Sequence, residues 1–269
     1  MAAVEPVLSP QNPRLKSVRA IRSGRNREDL LLEGLHLLEE ALAAGFAPKW
    51  VLFDSDWSSA EKDKLQALVS PELDCRPCDP RLLREVSDLD SPPGLLAVAP
   101  RPSSDWQASV EQAAARKAWI LVAAGVQDPG NTGAMVRVAA GLGARAFFAL
   151  KGGASPWHPR ALRGASGTTF RLPVADGLTE ADLVACCRRN GVHIWATDAG
   201  GEDLRRVRRS EPVVLLLGEE GRGLTPYLEQ SCQRKIGIVM DRGVESLNVA
   251  TAAAVCAFVL GNSAPVEDS

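Results

Sequence analysis

Three loops of this 269-residue chain combine glycine, asparagine and charged residues immediately after apolar runs. The first, Gly125–Gly133, contains Asp128-Pro-Gly-Asn131, which is strong turn chemistry, and Asn131 suits the N-cap of a helix. Farther along, Arg137 stands in a run of small residues, so it either faces solvent or is held by close packing at the end of a sheet. Asn131 alone is an ordinary cap, whereas Asn131 together with Arg137 indicates a polar site.

The second loop, Leu217–Leu224, has closely spaced glycines directly after the apolar run Val213–Leu217. Glycine lets a backbone approach a ligand closely. The loop is not a P-loop, because no Lys-Ser or Lys-Thr follows its last glycine, and its spacing differs from the dinucleotide-binding fingerprint. Glu219 and Glu220 would repel a phosphate, so an uncharged or cationic ligand, such as a sulfonium, is favoured. A tight turn without a ligand is the alternative.

The third loop begins where the apolar run Ile238–Met240 breaks into Asp-Arg-Gly243. Ser246 is then expected to open an alanine-rich helix that continues to about Leu260. Its small residues permit close packing against neighbouring backbone, including that of another subunit. By itself this loop indicates no particular chemistry.

Alternating strand and helix patterns position these loops in the carboxy-terminal half. Buried-type strands are predicted at Trp119–Ala123, Ala146–Leu150, Val192–Ala196, Val213–Leu217 and Lys235–Val239. Helical patterns between them predict an α/β fold with a mostly parallel sheet covered on both faces. Ligands of such sheets collect at the carboxyl ends of the strands. The three loops are therefore expected to meet at one edge.

The first hundred residues predict a separate, small α/β module. The pattern favours a helix over Leu30–Leu42, a strand at Lys49–Phe53, helices near Ala60–Val69 and Pro80–Val86, and a strand at Gly94–Ala99. Pro100–Ser104 is a natural linker because it is rich in proline and serine. The predicted organisation is a substrate-binding domain over 1–99, a linker and lead-in helix over 100–117, and a second domain over 118–269.

Charge is clustered, although the formal net charge is only −2. Six basic residues and no acidic one lie between Gln11 and Arg27, and a second basic run covers Arg205–Arg209. Clustered arginine either makes a local phosphate-binding face or a solvated helix face.

Six cysteines show no disulfide framework, and the pair Cys75 and Cys78 has no second pair with which to complete a zinc site. No metal site is therefore predicted. The sequence shows neither a signal-peptide pattern nor an apolar stretch long enough to cross a bilayer. A cytoplasmic protein with reduced thiols and no membrane partner is expected.

The three loops, in this order, resemble the signature motifs of the SpoU-type (TrmH-like) family of RNA ribose 2′-O-methyltransferases, in the SPOUT superfamily. The similarity covers Trp119 to about Phe258, and the segment Pro159–Pro173 is similar to the family's stretch between its first two motifs. Ala165 and Ser166 depart from the residues that relatives often have there. Residues 8–99 resemble the ribosomal-protein-L30-like substrate-binding domain that many members carry.

The resemblance implies a parallel sheet threaded as a deep trefoil knot, an obligate homodimer and S-adenosylmethionine bound in the knot. The cofactor contacts that it implies are Thr197, Leu217, Gly218, Gly223, Ile238, Met240, Leu247 and Asn248. The RNA contacts that we expect are Arg14, Lys16, Arg22, Arg25 and Arg163.

The resemblance also implies a catalytic set, in which Arg137 binds the substrate phosphate and orients the ribose hydroxyl. Removal of the hydroxyl proton by Arg137 is the second assignment, because a guanidinium pKa lies above about 12 and a neutral arginine is therefore costly. Asn131 and Asn248 would fix Arg137 and the loop, Ser246 would cap the final helix and line the site, and Glu220 would hold the glycine turn.

Other functions stay open at this point. Ribosomal RNA is favoured over transfer RNA only by analogy of the first domain. A catalytically silent RNA-binding protein of the same fold is one alternative. A dehydrogenase is disfavoured, because the loop after Ala123 is Gln-Asp-Pro-Gly rather than a phosphate-binding glycine loop. A knotted enzyme that methylates a base is disfavoured by the asparagine and arginine motifs.

Overall fold

The computed structural model describes residues 5–87, 89, 91–219, 221 and 223–261, which form two compact units. Unit 1 contains the described residues through Pro102 together with Trp157–Phe170. Unit 2 contains Ser103–Pro156 and the described residues from Arg171 onward. The segment between the first two motifs therefore belongs to unit 1, a feature that the sequence-based division at residue 99 does not contain.

The helices and strands follow one another along the chain in an alternating order. They are α1 (Pro13–Arg22), β1 (Asp29–Glu33), α2 (Leu35–Ala43), β2 (Trp50–Asp54), α3 (Ser59–Leu68), β3 (Cys75–Cys78), α4 (Pro80–Val86), β4 (Leu95–Pro100), α5 (Trp106–Ala115), β5 (Trp119–Ala124), α6 (Pro129–Gly141), β6 (Phe147–Leu150), α7 (Pro159–Ala165), β7 (Val174–Leu178), α8 (Glu180–Arg189), β8 (His193–Asp203), β9 (Val213–Gly218), α9 (Pro226–Ser231), β10 (Arg234–Gly237) and α10 (Val249–Gly261).

Unit 1 is built on a four-stranded sheet of order β1-β4-β2-β3. The prediction of one helix over Leu30–Leu42 is wrong, because Leu30–Leu32 lie fully buried in β1. Helices α1, α2 and α7 pack against this strand, so it reads as a continuous apolar run rather than as an alternating one. Gly34, with φ of 92°, ends the strand and starts α2.

Strand β3 was not predicted from the sequence. It is an edge strand, which explains how it accommodates Pro77. Cys75 and Cys78, at its two ends, are buried free thiols. Burial raises the pKa of Cys75 to about 11 and that of Cys78 to about 12.

Unit 2 is built on a six-stranded sheet of order β10-β8-β9-β5-β6-β7, in which every pairing is parallel. The predicted parallel sheet is confirmed. Helix α6 packs with α10, and α8 packs with both α5 and α9. Strands β5 and β9 end level with each other, Ala124 opposite Gly218, so the first two loops start at the same edge. Within the described chain, every helix is too short or too polar to cross a membrane.

Candidate active site

A cavity of about 470 Å³ lies at the carboxyl ends of β8, β9 and β10. Three chain segments line it: a stretch within β8, the loop after β9, and the segment from β10 into α10. The residues that line it are Thr197–Ala199, Leu217–Glu219, Gly221, Ile236–Met240, Glu245–Leu247, Val249, Ala252 and Cys256. We refer to it as the donor cavity. Its location agrees with the expectation that loops of a parallel sheet build a ligand site at this edge.

The first wall of the donor cavity is an excursion inside β8. Lys235 of β10 pairs with Ala196, but the next residue pairs with Glu202, so the residues between Ala196 and Glu202 leave the ladder. The excursion carries Thr197 into the lining. A Cβ added at Gly201 would lie 2.6 Å from the carbonyl carbon of Ile236, so this close approach requires glycine.

The second wall is the loop after β9. A Cβ added at Gly218 would lie 2.6 Å from the carbonyl carbon of Gly223, so the loop folds tightly back on itself only with glycine at 218. Glu219 and Gly223 exchange two backbone hydrogen bonds of 3.2 and 2.9 Å, which close the turn. Glu220, a predicted catalytic residue, lies outside the described residues.

The donor cavity is acidic. Asp198, Glu219 and Glu245 line it, and the described lining residues include no lysine or arginine. The backbone N–H of Gly200 lowers the pKa of Asp198 most, followed by the Lys235 ammonium, whose Nζ lies 3.0 Å from Asp198 Oδ2. An anionic lining attracts a cation and disfavours a phosphate, as the sequence predicts for this loop.

The third segment is anchored by Asn248. Its Oδ1 accepts hydrogen bonds from the backbone N–H of Ala250 at 2.9 Å and of Thr251 at 3.3 Å, which caps α10. The predicted cap at Ser246 is wrong, because the helix begins at Val249. Ser246 lines the donor cavity, which is the second of the two positions expected for it.

The first motif meets the third through two asparagines. Asn248 Nδ2 donates to Asn131 Oδ1 at 2.9 Å. The predicted cap at Asn131 is also wrong: Asp128 caps α6 and accepts the backbone N–H of Asn131 at 2.8 Å. The amide side chain of Asn131 is therefore available to hold Asn248. Arg137 is exposed and does not line the donor cavity. It lies about 9 Å from Asn131 along the axis of α6, at 1.5 Å per residue.

Six of the eight predicted cofactor contacts line the donor cavity, namely Thr197, Leu217, Gly218, Ile238, Met240 and Leu247. Gly223 lines a neighbouring cavity, and Asn248 stands between two lining residues. Sequence reasoning missed Asp198 and Ala199. The run Asp198–Gly201 was the available signal, because a charged residue and glycines follow a buried strand there, as they do in the other loops.

The expected RNA contacts all lie in unit 1, where four of them already have protein partners. Arg14 pairs with Asp74, Arg22 donates to the backbone carbonyl of Val86, and Arg163 Nη1 lies 3.1 Å from the buried carboxylate of Glu33. Arg25 Nε donates to Ser23 Oγ at 2.9 Å, and both Lys16 and Arg25 are exposed.

The second basic run divides into exposed and buried residues. Arg205, Arg206 and Arg208 are exposed, whereas Arg209 is only 5% exposed. Arg209 donates to the carbonyls of Lys117, Glu211 and Leu260, and burial lowers its pKa. Arg209 therefore links three segments of unit 2 that are distant in sequence, and it does not present its charge at the surface.

Comparison with known proteins gives consistent matches along the chain. Residues 118–258 match the SpoU rRNA Methylase family, and residues 12–97 match the MRM3-like substrate binding domain. An uncharacterised tRNA/rRNA methyltransferase of Mycobacterium tuberculosis is 31% identical, over 95% of this chain and 91% of that protein. The 23S rRNA (guanosine(2553)-2′-O)-methyltransferase of Bacillus subtilis is 27% identical, over 94% and 97%.

Solved structures match over the same length. The crystal structure of an RNA 2′-O ribose methyltransferase superposes with a TM-score of 0.76 at 27% identity, covering 95% of this chain and 97% of that one. An rRNA methyltransferase from Sinorhizobium meliloti gives 0.80 at 25% identity, covering 95% and 96%.

The parallel sheet with a cavity at its edge, together with the family match over residues 118–258, identifies an α/β methyltransferase that acts on RNA. The chain belongs to the SpoU rRNA Methylase family. The methyl donor of this family is S-adenosylmethionine, whose sulfonium is the kind of cation that the donor cavity favours.

Proposed function

We propose that the protein methylates the ribose 2′-hydroxyl of a nucleotide in ribosomal RNA. The hydrogen bond between Asn131 and Asn248 carries the proposal, because it brings the first motif to the segment of the third motif that lines the donor cavity. The names of the Bacillus relative and of the solved 2′-O ribose methyltransferase support the choice of the ribose hydroxyl.

The residues of the donor cavity suit S-adenosylmethionine. Gly218 lets the loop after β9 fold back against Gly223, and Glu219 and Glu245 supply negative charge beside a cationic ligand, as does Asp198 in its pair with Lys235. When bound, the sulfonium supplies an activated methyl group for an in-line displacement. Positioning of the two reactants dominates such a reaction and supplies about 7–11 kcal/mol.

Arg137 positions the acceptor in this proposal. Its guanidinium binds a phosphate of the substrate with two parallel hydrogen bonds and thereby orients the neighbouring hydroxyl. Removal of the hydroxyl proton by Arg137 is a second assignment, and it requires a neutral guanidinium, which is costly near pH 7.

A homodimer completes the site in this proposal. Thr251, Val255 and Phe258 form an exposed face on α10, and Phe258 is 62% exposed. A second copy that covers this face would also approach Arg137, because α6 packs beside α10. The partner subunit's Arg137 would then serve the donor cavity that the chain's own Arg137 does not line.

We also propose, from the family resemblance, that the chain ends in a deep trefoil knot and that the protein works in the cytoplasm. The six free cysteines, five of them buried, agree with a reducing compartment.

A methyl-transfer assay tests the proposed function. The full-length protein is incubated with methyl-labelled S-adenosylmethionine and, in parallel, with ribosomal or transfer RNA from cells that lack it. We expect the label of ribosomal RNA in dinucleotides that resist alkaline hydrolysis, which is diagnostic of ribose methylation. Label only in transfer RNA would show that transfer RNA, not ribosomal RNA, is the substrate. Label on bases would contradict the 2′-hydroxyl as the acceptor. RNA binding without label would support the alternative of a catalytically silent RNA-binding protein.

A further inference from the structure

The strands of the unit 2 sheet begin at the edge opposite the donor cavity. Trp119 of β5, His193 of β8 and Val213 of β9 are paired in one row, and each is the first residue of its strand. We use the name amino edge for the residues that precede this row, namely 116–118, 188–192 and 208–212. Strand β5 has six residues and therefore places the amino edge about 20 Å from the edge that holds the donor cavity.

Exposed basic side chains are concentrated at the amino edge. They are Arg116 and Lys117 after α5, Arg188 and Arg189 at the end of α8, and Arg208 in the loop before β9. Helices α5 and α8 pack against each other and both end at this edge, which brings their charges together. The same ranges contain one carboxylate, Glu211, whose Oε2 accepts the hydroxyl of Ser210 at 2.8 Å.

A buried arginine fixes the backbone of the amino edge. Arg209 donates to the carbonyls of Lys117, Glu211 and Leu260, and so ties the end of α5 to the loop before β9 and to the end of α10. Lys117 has a φ of 49°, at the helix-end position where glycine is preferred. A glycine there would remove the strain, and the charge would be lost with it. The exposed cations beside Arg209 are therefore presented by a fixed backbone.

The carboxyl edge of the same sheet has the opposite sign. Asp128 caps α6 there, Glu180 begins α8, and Asp198 and Glu219 line the donor cavity. These carboxylates outnumber the exposed Lys151 that follows β6. Unit 2 is consequently polarised, negative around the donor cavity and positive at the amino edge. A polyanion is repelled by the first surface and attracted by the second.

We infer that the amino edge is an RNA-binding surface that holds phosphates of the ribosomal RNA at a distance from the methylated nucleotide. The inference rests on the proposed function, because the RNA that it binds is the substrate. Clustered guanidinium and ammonium groups bind the phosphate backbone and place an RNA without reading its sequence. A long, folded ribosomal RNA can reach both edges of the sheet, whereas a short fragment centred on the methylated nucleotide cannot.

Compensation of helix dipoles is a competing role for part of this surface. Basic residues in the last turn of a helix stabilise it, and Arg188 and Arg189 occupy the last turn of α8. Arg208 lies outside the helices, so this role does not account for it. A residue that serves only the helix dipole affects unfolding and leaves the affinity for RNA unchanged, so the two roles can be separated.

Arg208→Gln tests the surface against Arg205→Gln as its matched control. Both arginines are exposed and belong to one basic run, but Arg205 is already paired with Asp203, with Nη2 2.7 Å from Oδ2. The affinity for ribosomal RNA is measured over a series of salt concentrations. Arg208→Gln should weaken binding about fivefold at low salt and reduce the slope of log affinity against log salt by about one. Arg205→Gln should change the affinity less than twofold.

The variant Arg188→Gln/Arg189→Gln tests the distance from the methylated nucleotide. It should raise the KM for ribosomal RNA about tenfold, and the KM for a short fragment centred on the methylated nucleotide less than twofold. The Kd for S-adenosylhomocysteine should stay that of the wild type. Urea denaturation shows whether the variant is folded, and Arg208→Gln tests the same surface independently of α8.

The outcomes separate this inference from the proposed function. Wild-type affinity and salt dependence in both edge variants would overturn the inference while methyl transfer continues. An equal rise in KM for the long and the short RNA would also overturn it, because the residues would then act at the methylated nucleotide. Absence of methyl transfer by the wild-type protein would instead overturn the proposed function.

Discussion

Asn248 donates from Nδ2 to Asn131 Oδ1 at 2.9 Å and, with its own Oδ1, caps α10 through Ala250 and Thr251. One amide side chain thus uses its two ends for different tasks. The nitrogen ties the third motif to the first, and the oxygen starts the final helix. The segment before Asn248, which lines the donor cavity, is consequently fixed to both helices.

The two asparagines should differ in their effect on stability. Asn248→Ala removes a helix cap, so we expect the free energy of unfolding to fall by about 1 kcal/mol. Asn131→Ala removes no cap, because Asp128 serves α6, and should cost less. Both variants should lose methyl transfer. Urea denaturation and the labelled-methyl assay measure these effects, and full activity in Asn131→Ala would refute the role of the bond.

Arg137→Ala should bind S-adenosylmethionine normally and lose methyl transfer, because Arg137 does not line the donor cavity. Calorimetric titration gives the first quantity and the RNA assay the second. Mixing this variant with Gly218→Val, whose side chain collides with the Gly223 backbone and so disrupts the wall of the donor cavity, tests the proposed dimer. Hybrid dimers would then hold one intact cavity facing one intact Arg137, so activity should partly return; a mixture as inactive as its components speaks against sharing between subunits.

Gly218→Ala should weaken S-adenosylhomocysteine binding at least tenfold, about 1.4 kcal/mol. The added methyl group would lie 2.6 Å from the Gly223 carbonyl carbon, so the wall of the donor cavity must move. Gly200→Ala is the matched control, since its Cβ would meet only Asp198 Oδ1, at an ordinary 3.5 Å. Equal affinities in the two variants would show that the close approach at Gly218 is unnecessary.

Arg209→Met should destabilise the protein by about 2–4 kcal/mol, because it leaves the carbonyls of Lys117, Glu211 and Leu260 without the donor that a buried guanidinium supplies. Arg206→Ala, at an exposed residue of the same run, should change stability by less than about 0.5 kcal/mol. Chemical denaturation compares them. If Arg209→Met unfolds at the wild-type denaturant concentration, the buried arginine is not the structural link described above.

The sequence was sufficient to predict the parallel sheet and the edge where the loops meet, because buried strands followed by glycine and asparagine are local signals. The prediction of a helix over Leu30–Leu32 was wrong, because a short apolar run is equally typical of a buried strand and of a buried helix. The caps were misassigned for a similar reason. Asp128 and Asn131 are both good capping residues and lie three positions apart, and Ser246 and Asn248 are both good capping residues two positions apart. Only the tertiary bond between Asn131 and Asn248 distinguishes the residue that caps from its neighbour.

The inclusion of Trp157–Phe170 in unit 1 could not be predicted either, because contacts such as that of Arg163 with Glu33 join residues distant in sequence. The excursion of β8 after Ala196 has the same origin. It is defined by the register of β10, which no local pattern within β8 encodes.

His158 should make the stability of the protein depend on pH. Its Nδ1 accepts the backbone N–H of Arg160 at 3.2 Å and caps α7, which only the neutral ring can do. Burial lowers the pKa of His158 most, and the charges of Arg160, Arg163 and Arg22 lower it further. A depressed pKa in the folded state means that the contribution of His158 to stability is complete above about pH 6.5, the unfolded value, and is lost as the pH falls through the folded value.

His158→Asn keeps a capping side chain without a titrating group. Urea denaturation between pH 8 and pH 5 should therefore show a smaller loss of stability in His158→Asn than in the wild type, and parallel curves would exclude His158 as the source.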